Sequence, residues 1–165
     1  MAVLALSAGC DPVNKPTMNP GQDCLSCHCQ GSPSCTASNL PWSAAGTVFA
    51  RPDSAETDGV QGVRVMITDA LGKEVTLHTN AVGNFYTAES LQPPLQVTVA
   101  DNAGHQEEMA TQPTPDMVYG SFSAGHGVGC NGCHAAPSPD TGLPPTPQGG
   151  GAGIAPLGRI YAPIP

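Results

Sequence analysis

The chain has 165 residues, with five basic and thirteen acidic side chains; its net charge of −8 sets it against nucleic acid and acidic membrane surfaces as partners. Charged residues make up only 11% and aromatics 4%, against 20 Gly and 18 Pro, so turns and short strands are expected in place of long helices. The length suits one compact domain with decorated ends.

Residues 1–10, Met1-Ala-Val-Leu-Ala-Leu-Ser-Ala-Gly-Cys10, are an apolar run of small residues closing on a cysteine. The run resembles the lipobox at which a bacterial lipoprotein is cleaved and acylated, which implies a lipid on Cys10. It departs from that pattern in carrying Ser7 three positions before the cysteine, with Leu6 one earlier, and in having no positive leader. The expectation is the tail of a signal peptide. The run is too short to span a bilayer, and a buried or disulfide-bonded Cys10 is the alternative.

Residues 11–40 are polar, rich in Pro, Asn, Ser and Cys, and show no sustained helical period. Such a stretch buries too little apolar surface to order itself, so it is expected to fold around something else. Within it lies Cys24-Leu-Ser-Cys27-His28, and Cys130-Asn-Gly-Cys133-His134 repeats the spacing near the other end. C-x-x-C-H is the attachment signature of c-type haem: two thiols on one local turn form thioethers to the two vinyl groups, and the next residue turns an imidazole to the iron. Both copies keep the histidine, so the expected cofactors are two covalently attached haem c groups, with His28 and His134 as proximal ligands. The alternatives are a structural zinc site, which needs the four thiolates and has no use for the histidines, and disulfides.

Cys29 and Cys35 follow the first motif closely enough to close a small disulfide loop, which would stabilise by roughly 2 kcal/mol. Such a bond persists in an oxidising compartment, and c-type haem is attached outside the cytoplasm. Both point to export, to the periplasm, the outer surface or beyond the cell.

From residue 41 to 113 the pattern becomes alternation. Gly46–Ala50 opens it; Val63, Val65 and Ile67 then share one face with Arg64, Met66 and Thr68 on the other. Gly72 turns the chain, Val75, Leu77 and Thr79 alternate with Thr76 and His78, and a second turn at Asn80–Gly83 leads into Asn84–Thr87. After Pro93-Pro94, Leu95, Val97 and Val99 alternate, and Gln106–Thr111 is expected to close the sheet. Short strands with turns every eight to twelve residues predict an all-β, antiparallel, immunoglobulin- or transthyretin-like sandwich, flanked by irregular haem-binding segments.

The residues Gly46-Thr-Val, Gly62-Val-Arg-Val-Met-Ile-Thr-Asp69, Gly72-Lys, Thr79-Asn80 and Gly83-Asn-Phe85 resemble the carboxypeptidase regulatory-like domains, a branch of the transthyretin-like sandwiches. The resemblance implies a fold and no activity. The sequence carries no nucleophile and base pair, no H-E-x-x-H and no phosphate loop, so no catalytic residue is assigned.

Residues 114–136 hold the second motif, and 137–165 run on as a Pro- and Gly-rich tail whose Ile160 and Tyr161 are expected to tuck back onto a haem or the sandwich. The whole arrangement is similar to small dihaem c-type lipoproteins. Distal iron ligands come from His or Met side chains and set the potential. His126, in a Gly-rich run that can fold over a ring, ranks first; His105 and Met109 follow level, then Met18 and His78. Met109 also reads as core filler and His78 as a solvated strand residue.

The expected function is electron transfer by a dihaem c-type cytochrome in the cell envelope or outside the cell, lipid-anchored and not an enzyme. Its acidic surface suits a redox partner with a basic docking face. Head-to-tail assembly into a haem filament is a second expectation of the same class. The readings from other classes are a dihaem peroxidase-like enzyme and a non-haem, lipid-anchored binding module stapled by zinc or disulfides.

Overall fold

The computed structural model describes residues 17–22, 24–26, 28, 42–51, 53–109, 130–134 and 160–162. They form antiparallel strands with almost no helix. A two-stranded sheet pairs β1 (Ala44–Thr47) with β4 (Asn84–Thr87). A four-stranded sheet has the order β3-β2-β5-β6, built from β2 (Arg64–Thr68), β3 (Glu74–His78), β5 (Gln96–Ala100) and β6 (Gln106–Glu108).

The alternation in β2 sets the inner face. Val65 and Ile67 are buried, and register places Leu77–Val65–Val99 and Val75–Ile67–Val97 in two rows across three strands. Cross-strand rows of β-branched residues are the unit from which a sheet gains stability, and each such side chain fully buried contributes about 1.5–3 kcal/mol. Ala44, Val48 and Phe85 from the other sheet enter the same core cluster, joined by Val63, Leu91 and Leu95. Two antiparallel sheets sharing one core are consistent with a sandwich.

Three turns are built alike. Asp69, Asn80 and Asp101 each start a five-residue loop in which the fourth residue is a glycine at positive φ: Gly72 at 79°, Gly83 at 81°, Gly104 at 93°. In each, the starting carbonyl accepts from that glycine's N–H and the starting side-chain oxygen accepts from the N–H groups two and four residues on. This is a type I turn followed by a left-handed residue, the three-residue hairpin loop. The Asn80 loop hands the chain from β3 in one sheet to β4 in the other.

Two strand expectations shift. The first strand, expected at 46–50, runs Ala44–Thr47, because Ala44 and Ala45 are small enough to be packed tightly in a buried strand. Val48 still bonds to Gly83, whereas Phe49 makes isolated bridges to Gly59 and Tyr161. The last strand is exposed along its length and ends at Glu108, and Met109 adds one more bond to Val97. Residues 110 and 111 lie outside the described residues. Ile160 and Ala162 hold the tail to Phe49, whose N–H donates to Ile160 O at 2.8 Å and whose carbonyl accepts from Ala162 N–H at 2.9 Å. Both pack against the core.

Candidate functional site

Each C-x-x-C-H segment starts as a helical turn. Cys24–Ser26 is a 3-10 turn, and the His28 N–H reaches back to Cys24 O at 2.9 Å. Cys130–Cys133 forms α1, and the His134 N–H donates to Cys130 O at 2.8 Å. A bond from residue i+4 to residue i is one α-turn, whose period brings positions i, i+3 and i+4 to one face. Each turn thereby sets Cys24 beside His28, and Cys130 beside His134.

The turns lie on the same strand. One residue past β1, the Val48 N–H donates to Gly83 O, on the β4 side. Antiparallel pairing alternates direction, so the Thr47 N–H faces the open edge, and there it donates to Asn131 Oδ1 at 3.0 Å. Asn131, in the second motif, is 2% exposed. Its Nδ2 donates to Thr47 Oγ1 and to Gln22 O, both at 2.9 Å. Thr47 Oγ1 also accepts from the Gly21 N–H at 3.0 Å and donates to Asn84 Oδ1 at 2.7 Å. Asn84 Nδ2 in turn donates to Met18 O.

The consequence is convergence. Cys24 Sγ lies 3.5 Å from the Gln22 carbonyl that Asn131 also holds. The first cysteine of one motif and a side chain of the other therefore meet at one oxygen. Cys130 packs against the core, and a Cβ on Gly46 would sit 2.9 Å from Cys130 Cβ and 2.8 Å from the Phe85 ring. Glycine at position 46 is what lets the second motif approach so closely.

His28 is held from several sides. Its carbonyl accepts the Trp42 N–H at 2.9 Å, and its ring stacks on the Trp42 indole with centroids 3.6 Å apart and planes 10° apart. Trp42 stacks in turn on Tyr86, 4.2 Å away and 13° from parallel. The His28 side is buried and Tyr86 is exposed. Residues 29–41, with Cys29 and Cys35, lie outside the described residues, as does Cys10.

The described donors of the two turns are Cys24 with His28, and Cys130 with His134. Cys24 and Cys130 are both partly exposed. Stacking uses the face of the His28 imidazole, and metal ligation uses an edge nitrogen in the ring plane, so the two are compatible. Cys27 and the side chain of Cys133 lie outside the described residues. Among the described residues no three His, Cys, Asp or Glu side chains gather as a metal site.

Of the distal candidates, Met18 is tied by its carbonyl to this same polar knot. His105 is exposed, and its Nδ1 lies 2.7 Å from Asp101 Oδ2, so that Nε2 would be its nitrogen toward a metal. Hydrogen bonding from His105 holds the Asp101 carboxyl below its ordinary range. Met109 packs against the core and His78 is exposed on β3 opposite Arg64. His126 lies outside the described residues.

No protein-family model, curated protein or solved structure matches the chain.

The site therefore stands on its own residues. Reading the sequence alone found the two motifs and missed Gln22, Thr47, Asn84 and Asn131, which join them, and Trp42 and Tyr86, which back His28. Asn131 occupies a variable position of the motif, where spacing rules carry no information. Trp42 offered one signal, as the only tryptophan in the chain. Among the described residues no helix is long and apolar enough to cross a membrane.

Proposed function

We propose that the chain is a dihaem c-type cytochrome that transfers electrons and does not act as an enzyme. The observation that supports this reading is the meeting of the two C-x-x-C-H turns at the Gln22 carbonyl. Motifs separated by more than a hundred residues of sequence are joined side by side on β1 through one buried amide. Haem bound at each turn would supply a one-electron couple.

The residues of the chain do the rest. Asn131, Thr47 and Gln22 fix the spacing of the two turns, so a cofactor on each would be held at one separation without reorganisation. Cys24 and Cys27, then Cys130 and Cys133, would tether, while His28 and His134 would ligate. The surrounding burial and the distal ligand tune potential. A net charge of −8 favours docking to a basic redox partner. Export with a lipid on Cys10 belongs to the same proposal, as does a regulatory-like sandwich as the scaffold.

The same convergence favours a second reading, because a structural zinc site needs two C-x-x-C pairs brought together. One experiment separates them. The chain is produced in a host with the c-type maturation system, and intact mass, a reduced-minus-oxidised visible spectrum and zinc content are measured. Two covalent haems with sharp low-spin bands are expected. A haem-free mass with one zinc per chain would sink the cytochrome reading, and a high-spin signal on one haem would move it toward peroxide chemistry.

A further inference from the structure

We infer that Trp42, backed by Tyr86, is a positioning residue that sets the ring plane of His28 as an iron ligand. The inference rests on the cytochrome reading and goes beyond it, to what fixes one ligand's orientation. His28 is restrained at three handles. Its N–H is taken by Cys24 O at 2.9 Å, its carbonyl by the Trp42 N–H at 2.9 Å, and its ring face by the Trp42 indole at 3.6 Å. The first two fix the backbone on either side of Cα, and the third removes rotation about the bond to the ring.

The stack does not end at Trp42. Tyr86 lies on its far face at 4.2 Å, and Tyr86 is anchored in β4, where register pairs it with Ala45. The orientation of the imidazole is thereby referred to the sheet and not to the irregular segment that carries the motif. Offset or parallel aromatic stacks of this kind have a preferred geometry of their own. A ligand plane held this way chooses which iron d orbital carries the unpaired electron of the ferric state, because π overlap with the imidazole depends on that plane.

The test uses the full chain carrying its haems, with Trp42→Leu, Trp42→Phe and the parent compared. Intact mass counts haems, and electron paramagnetic resonance of the oxidised protein reads the g values of each. Loss of the stacking ring in Trp42→Leu is expected to shift the g values of one of the two low-spin signals while two haems remain attached. Trp42→Phe, which keeps an aromatic face, is expected to hold that signal near the parent's. Two attached haems with superimposable parent and Leu spectra would overturn the positioning role alone. A parent chain without haem would overturn the cytochrome reading itself, and this inference with it.

Discussion

Asn131 uses every polar atom of its side chain inside the protein, and Thr47 Oγ1 gives one hydrogen bond and takes two. Buried groups so fully satisfied are costly to disturb, because removing one partner leaves the other unpaired. Asn131→Leu, close in size, is expected to destabilise by about 2–3 kcal/mol in denaturant unfolding. Thr47→Val should cost a comparable amount, and the double variant less than the total of the two, since both act on one network. Asp69 makes a second residue-scale case. Burial pushes its carboxyl up, but N–H bonds from Lys73, Gln92 and Leu71, with the Lys73 charge, hold it below its ordinary 3.8. A depressed carboxylate contributes stability that is present above 3.8 and lost as pH falls through the lower folded value. Asp69→Asn, which turns an NH2 toward one of those donors, should melt lower than the parent at neutral pH. Calorimetry should then find the gap closing below pH 3.8.

At the scale of elements, the three Asx-started turns share one backbone but differ in what surrounds their glycine. A Cβ on Gly72 meets nothing within 4 Å, whereas one on Gly83 would lie 2.4 Å from Val48 O. Gly72→Ala should therefore cost only the left-handed conformation, about 1 kcal/mol. Gly83→Ala should cost clearly more, because the clash is with backbone that cannot turn aside; thermal melts of the two variants separate the terms. The turns at Gly72 and Asn80–Gly83 and the strands between them were legible in the sequence, since glycine at a turn and alternation from Val63 to Ile67 are local signals. The C-x-x-C-H turns were legible for the same reason. The joining of the motifs was not: Asn131 meets Gln22 across the whole length of the sandwich segment, and nothing near either residue announces the other. Phe49 shows the same limit at a strand end, where its partners Gly59 and Tyr161 come from a loop and from the tail.

For the molecule as a whole, charge is the property with the longest reach. With −8 and few basic residues to offset it, electron exchange with a cationic protein should slow as salt rises, and exchange with an anionic one should quicken. Stopped-flow rates from low to physiological salt check the sign, and a flat salt profile with both partners would remove electrostatic docking from the proposal. The all-β scaffold carries this charge on an arrangement in which N-terminal, central and C-terminal segments all end on β1.

That crowding of β1 has a consequence for solubility. Among the described residues the strand has a strand neighbour on one side only, and an uncovered row of amides is a template on which another chain can grow. Here the row is closed by pieces that are not full strands: the Asn131 amide at Thr47, and the short tail pairing at Phe49. The motif residue that holds the site together thus also guards the protein against self-association. Loss of the Asn131 side chain would leave the Thr47 N–H on that edge without this partner.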